Sequence, residues 1–186
     1  TITNTTPASA TITVIAVAPP TISKGFSPNT IFVGQLSQLT ITVNNNDTDT
    51  NLTQTSYTDT LPANVVLANP VSPVVNNCGG AYTLTAVANT NTIALGNATV
   101  TPNQNCTVTV NVTSTVTGQY TNTIPAGPGG PGSIVTQQGV TNASPASANL
   151  NVQPVGVTKN FSPAAIVAGG TSTLSIVLQN PTGTNY

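Results

Sequence analysis

Leu39-Thr40-Ile41-Thr42-Val43 and Cys106-Thr107-Val108-Thr109-Val110-Asn111-Val112 alternate apolar and polar residues without a break. A period of two puts every apolar side chain on one face of an extended chain and every Thr or Asn on the other. Thr is β-branched and suits the half-solvated face of a pleated sheet. Ile12-Thr13-Val14, Leu150-Asn151-Val152 and Leu174-Ser175-Ile176 follow the same rule. Further strands are expected near 30–33, 52–60, 64–67, 82–87, 92–95, 116–124 and 134–140. No sustained helical period occurs. Asn44-Asn45-Asn46-Asp47, Asn76-Asn77-Cys78-Gly79-Gly80 and Pro102-Asn103-Gln104-Asn105 mark loops between the runs. Pro125-Ala126-Gly127-Pro128-Gly129-Gly130-Pro131-Gly132 reads as an exposed irregular loop. Short strands with a turn signal roughly every ten residues describe an all-β chain built as a β-sandwich.

The strands recur. Thr3-Asn4-Thr5-Thr6-Pro7-Ala8-Ser9-Ala10-Thr11-Ile12-Thr13-Val14 returns as Thr141-Asn142-Ala143-Ser144-Pro145-Ala146-Ser147-Ala148-Asn149-Leu150-Asn151-Val152, an offset of 138 residues. Lys24-Gly25-Phe26-Ser27-Pro28 returns as Lys159-Asn160-Phe161-Ser162-Pro163, and Gly34, Leu39 and Ile41 as Gly169, Leu174 and Ile176, an offset of 135. A period this long describes whole domains in an array, not a solenoid of short units. The expected division is 1–17 for the last strand or strands of one repeat, 18–153 for a complete repeat and 154–186 for the first strands of the next. Pro19-Pro20 and Pro154 lie at the seams, so the links are short and restrict bending. The expected array is a semi-rigid rod cut out of phase with its domains.

Composition narrows the chemistry. Thr and Asn supply 36 and 23 of the 186 residues, and only Lys24, Lys159, Asp47, Asp49 and Asp59 carry formal charge. The chain has no His, Arg or Glu. Acid–base catalysis draws chiefly on His, Glu, Asp and Lys with tuned pKa values. A nucleic-acid surface needs many basic residues, and two lysines supply none. The expectation is a non-enzyme with no cofactor and no nucleic-acid partner. No apolar run in this stretch is long enough to span a bilayer.

Cys78 and Cys106 both fall in the complete repeat. A single pair in a β-rich chain of this composition is read as one disulfide formed in an oxidising compartment. Two buried reduced thiols are the competing reading.

Lys24-Gly25-Phe26-Ser27-Pro28, Leu39-Thr40-Ile41-Thr42-Val43-Asn44-Asn45, Tyr57-Thr58-Asp59-Thr60-Leu61-Pro62-Ala63 and Tyr120-Thr121-Asn122-Thr123-Ile124-Pro125 together resemble the conserved repeat domain of large bacterial surface proteins, a domain of unknown function found in tandem arrays. The resemblance spans the complete repeat. It implies an immunoglobulin-like β-sandwich, secretion, and a place in adhesins or surface fibres. It implies no ligand. The stretch 125–132 departs from it by its richness in Gly and Pro.

Three features invite a chemical reading. Lys24, Asp59 and Asn122 are candidates for an isopeptide bond of the kind found in many surface-fibre sandwiches. A Lys amine deprotonated by burial attacks an Asn amide while a nearby protonated carboxyl polarises it. Asn142 is the alternative acceptor. The competing reading is a solvated Lys, a turn-bonding Asp and a strand-capping Asn. Asp47 and Asp49, in an Asn- and Asp-rich loop, are candidate Ca²⁺ ligands, although a polar loop held by Asx turns explains the same residues. Thr-rich faces suggest ice or carbohydrate binding, but their spacing follows no short period, and ordinary solvent-facing strands account for them.

The reading that follows is a structural repeat of an extracellular bacterial surface or fibre-forming protein, acting as a stalk or filament building block. Its partners would be neighbouring copies, end to end and laterally, because low charge leaves little repulsion between them. The alternatives are an adhesin-type ligand-binding module and a filament subunit that assembles by β-strand exchange.

Overall fold

The computed structural model describes residues 2, 3 and 5–179, and no helix occurs among them. The strands are β1 (Thr21–Ser27), β2 (Thr30–Phe32), β3 (Leu36–Asn44), β4 (Leu52–Thr60), β5 (Val66–Leu67), β6 (Val74–Asn76), β7 (Thr83–Ala86), β8 (Thr92–Val100), β9 (Asn105–Thr113), β10 (Gly118–Ile124), β11 (Ala146–Gln153), β12 (Gly156–Ser162) and β13 (Thr173–Gln179). The two runs that decided the fold pair with each other: β3 and β9 form an unbroken antiparallel ladder from Leu36↔Thr113 to Asn44↔Asn105. Alternation explains the pairing, since both strands bury the same alternate set. Leu39, Ile41 and Val43 face inward beside Val108, Val110 and Val112, all at most 1% exposed.

One layer runs β1-β3-β9-β5, with β6 also on β9. The facing layer has two parts, β4-β8-β7 and β10-β11-β2. β10 lies against β4 without a ladder between them, and β1 packs against β11. One continuous apolar cluster joins the layers: Ile22, Phe26 and Leu39 from one side meet Leu52, Ile93, Leu95, Ile124 and Leu150 from the other. This is an immunoglobulin-like β-sandwich. β2 pairs parallel to β11 (Asn151↔Thr30 to Gln153↔Phe32), so the start of the domain is tied to its end.

Two expected strands do not form. Residues 134–140 make only an isolated bridge, Ser56↔Val135, plus a hydrogen bond from Gln137 N to the Thr53 carbonyl. The Gly/Pro-rich stretch is likewise no free loop. It lays Gly132 on β4, where an added Cβ would sit 2.0 Å from the Thr58 carbonyl oxygen. Ile12-Thr13-Val14 forms no strand and lies exposed, as do its described neighbours from 5 to 16.

β12 and β13 form a separate hairpin that reproduces β1 and β3 residue for residue. Lys24 opposes Ile41 and Phe26 opposes Leu39; Lys159 opposes Ile176 and Phe161 opposes Leu174. Ser37 Oγ donates to the Pro28 carbonyl at 2.7 Å, and Ser172 Oγ to the Pro163 carbonyl at 2.6 Å. Gly34 and Gly169 take φ values of 80° and 83°, a left-handed turn conformation that favours glycine. The environment differs: Phe26, Leu39 and Ile41 are buried, whereas Phe161, Leu174 and Ile176 are 53%, 45% and 61% exposed.

Candidate functional site

The inward positions of β1 run Ile22, Lys24, Phe26, so strand alternation aims the lysine into the sandwich. Asn122 and Ile124 are the inward pair at the end of β10. Asp59 needs a further device. Leu52 is buried, and simple alternation from it would turn Asp59 outward. The ladder between β4 and β8 shifts twice, between Leu52 and Thr55 and between Thr55 and Tyr57. Gln54 at φ 50° and Asn97 at φ 55° supply the two irregular residues. A one-residue slip reverses every later side chain, so Thr55, Tyr57 and Asp59 point inward after the first bulge.

The three side chains meet. Lys24 Nζ donates to Asp59 Oδ1 at 2.7 Å, and both side chains have 0% exposure. What surface residue 24 shows to solvent belongs to its backbone. Asn122 Nδ2 donates to Asp59 Oδ2 at 2.9 Å, and Asn122 is 1% exposed. One carboxyl therefore holds the amine on one oxygen and the amide on the other. Burial pushes the Lys24 amine below its ordinary range, an effect larger than the opposing pull of the Asp59 charge and hydrogen bond.

Two buried polar atoms at this site have no hydrogen-bond partner, Asn122 Oδ1 and Tyr57 Oη. A buried unsatisfied group of this kind costs about 1–3 kcal/mol. The Tyr57 phenol is pushed well above its usual range, by burial first and by the Asp59 charge second. Tyr57 escapes a reading based on reactive side chains, although its place two residues before Asp59, on the same face, is the signal that could have found it.

The remaining candidates are placed elsewhere. Asn142 is fully buried, but its amide is committed: Oδ1 accepts from Ile134 N at 2.8 Å, and Nδ2 donates to the Pro125 and Ser144 carbonyls, each at 2.9 Å. It fastens the Gly/Pro-rich segment and is hydrogen-bonded to neither Lys24 nor Asp59. Asp47 Oδ1 accepts from Asp49 N at 3.0 Å and Thr50 N at 2.7 Å, and Oδ2 accepts from Ala18 N at 2.9 Å. Those backbone bonds hold its carboxyl down at about 2. The Asp49 carboxylate accepts from Thr48 Oγ1 at 3.0 Å. Among the described residues no cluster of three His, Cys, Asp or Glu side chains forms. Backbone bonds of the Asx-turn type hold the Asp47 loop. Cys78 and Cys106 are bonded as a disulfide that ties the segment after β6 to the start of β9.

The family described as "Domain of unknown function (DUF7933)" matches residues 20–152. The comparison with curated proteins returns no match. Among solved structures, a cohesin module from a Clostridium perfringens family 33 glycoside hydrolase is similar at 12% identity and TM-score 0.49, over 75% of this chain and 99% of that one. A non-cellulosomal cohesin from the archaeon Archaeoglobus fulgidus is similar at 11% identity and TM-score 0.47, over 73% and 92%. The major pilin subunit of Bacillus cereus is similar at 13% identity and TM-score 0.47, over 84% and 52%.

Proposed function

We propose, for a chain that belongs to the DUF7933 family of domains of unknown function, a mechanical role: one repeating unit of an extracellular bacterial surface or fibre-forming protein. The observation that carries this reading is the second hairpin. β12–β13 repeats the register, turn and hydrogen bonds of β1–β3, yet leaves the matching apolar side chains in solvent. Exposed residues of this size and number call for a covering layer. The first hairpin obtains that cover from β9, β4, β8, β10 and β11. The second would obtain it from the corresponding strands of a following unit. The counterpart of β2, residues 165–167, forms no strand, whereas β2 itself pairs with β11.

Extending the chain after residue 179 with a second copy of residues 45–153 tests the repeat. The hairpin amides should become as protected from hydrogen exchange as those of β1 and β3. An added segment that stays unfolded would count against the array. Location is tested by labelling source cells with an antibody to residues 18–153. Label on the surface or on extracellular fibres is expected, and label confined to the cytoplasm overturns the reading. The disulfide supports the extracellular side of it.

Strand exchange is a second reading with an observation of its own. Residues 8–14 repeat the phrase of β11 and lie exposed outside any strand. The segment from one molecule could then lie beside the β12–β13 hairpin of another. Concentration-dependent growth of the purified chain into polymers favours exchange, and a strictly monomeric chain favours covalent continuity.

A further inference from the structure

We propose that Lys24 and Asn122 join through an intramolecular isopeptide bond, with Asp59 as the proton carrier between them. The nucleophile and the acyl group are held on the two oxygens of one carboxyl, at 2.7 Å and 2.9 Å. All three side chains are buried, which excludes the water that would compete for the amide or the amine. Asn122 is held through Nδ2, while its Oδ1 has no partner, so no donor fixes the carbonyl oxygen that must move as the carbon is attacked.

The step balances. The Lys24 ammonium passes a proton to Asp59 along the short hydrogen bond, leaving a neutral amine and a carboxylic acid. Burial favours the uncharged Lys24 amine over the ammonium. The amine lone pair attacks Cγ of Asn122, and the carbonyl electrons move to Oδ1. Asp59 gives its proton to Nδ2 and takes one from the attacking nitrogen. The carbonyl reforms, the Cγ–Nδ2 bond breaks and ammonia leaves. A primary amine and a carboxamide have become a secondary amide and ammonia, with Asp59 protonated beside the product. No oxidant, metal or cofactor enters.

The bond would join β1 in one layer to β10 in the other and close the chain between residues 24 and 122. In a fibre, tension carried through these strands would pass along the new amide and leave the intervening strands slack. The inference stands on the cluster, whether or not the domain belongs to an array.

The chain supplies its own test. It contains two lysines and no arginine, so trypsin acting on the unfolded, reduced chain cuts after Lys24 and Lys159 only. Acylation of Lys24 Nζ abolishes the first cut and leaves the second as an internal control. The expected result is an intact mass about 17 Da below the sequence mass, one lost ammonia, with cleavage after Lys159 alone. Lys24→Ala and Asn122→Ala should each restore the sequence mass, and the Asn122 variant should again be cut after Lys24. Asp59→Ala should also show the sequence mass, and retention of the bond in it removes Asp59 from the mechanism. Full mass with cleavage at both lysines overturns the proposal. So does a 17 Da loss with Lys24 still cleavable, which would place the lost ammonia at a cyclised asparagine elsewhere. Because the unsubstituted chain decides the matter, a variant that fails to fold leaves the result intact.

Discussion

Replacing Tyr57 by Phe should stabilise this domain. The ring is 3% exposed and packs in the apolar cluster, so Phe keeps the burial. The hydroxyl has no hydrogen-bond partner, so Phe removes only an unsatisfied polar atom. The gain at neutral pH is about 1–3 kcal/mol, the desolvation penalty of such a group. A domain of about 135 residues unfolds with an entropy near 0.28 kcal/mol/K, which converts that gain into a rise in Tm of about 4–10 °C.

The pH dependence carries a second signature. Burial and the Asp59 charge hold the folded phenol protonated far above the ordinary value of 10.0. The unfolded chain releases that proton near pH 10. Above this pH the native state binds more protons than the unfolded state, so stability is present below pH 10 and falls as pH rises. One unit above the unfolded value the loss is about 1.4 kcal/mol. Lys24 acts in the opposite sense: with its pKa lowered from 10.5, a free amine makes stability rise with pH up to that value. Lys24 is present in both proteins, so the difference between them isolates Tyr57. Urea unfolding of wild type and Tyr57→Phe at pH 7 and pH 11 gives both numbers. A loss of 1 kcal/mol or more (about a fivefold shift in the folding equilibrium) at pH 7 would mean that the hydroxyl has a partner, and the orphan assignment would be wrong.

Three further outcomes follow from the same geometry. Reducing Cys78–Cys106, which closes a separation of 28 residues, should lower stability by about 3–4 kcal/mol in the chain-entropy description, read as the urea midpoint with and without reductant. Asp47→Ala removes the acceptor for Ala18, Asp49 and Thr50 N–H. Its contribution is present above the unfolded value of 3.8 and lost as pH falls through about 2, so the stability gap to wild type should close across that window. Leu39→Ala, at a fully buried position, should cost about 2–5 kcal/mol, whereas Leu174→Ala at the matching exposed position should stay within about 0.5 kcal/mol in the same unfolding experiment.

Much of this architecture was legible because alternation is a local property. Leu39–Val43 and Cys106–Val112 announce their faces without reference to anything else, and they pair with each other. Residues 134–140 and 12–14 show where that logic stops. An alternating segment becomes a strand only when a sheet edge is free to receive it, and edges are a tertiary matter. The candidate site was legible in its residue types but not in its orientation. Asp59 points inward because β4 slips by one residue at Gln54. No period read along the strand reports such a slip. The same blindness separated Asn122 from Asn142. Both are buried asparagines, and only the three-dimensional bond pattern shows that one faces the carboxyl while the other secures a loop.

The Lys24–Asp59 pair has no adequate explanation in stability. The chain has only five charged side chains, and two of them are buried against each other. Bringing both from water into an apolar interior costs several kcal/mol per ion, and their attraction repays this only when the remaining polar atoms are satisfied. Here they are not, since Asn122 Oδ1 and Tyr57 Oη lie orphaned beside the pair. Well-packed apolar residues at positions 24 and 59 would match or exceed the stability of the pair. They would continue the inward rows Ile22–Phe26 and Tyr57–Leu61 without a bulge-borne carboxylate. Their absence therefore points to what the polar residues can do and apolar ones cannot. An amine, a carboxyl and a carboxamide in one dry pocket can exchange protons and form a bond. Once formed, that amide removes the ammonium charge altogether, and with it the desolvation cost that makes the unreacted site expensive.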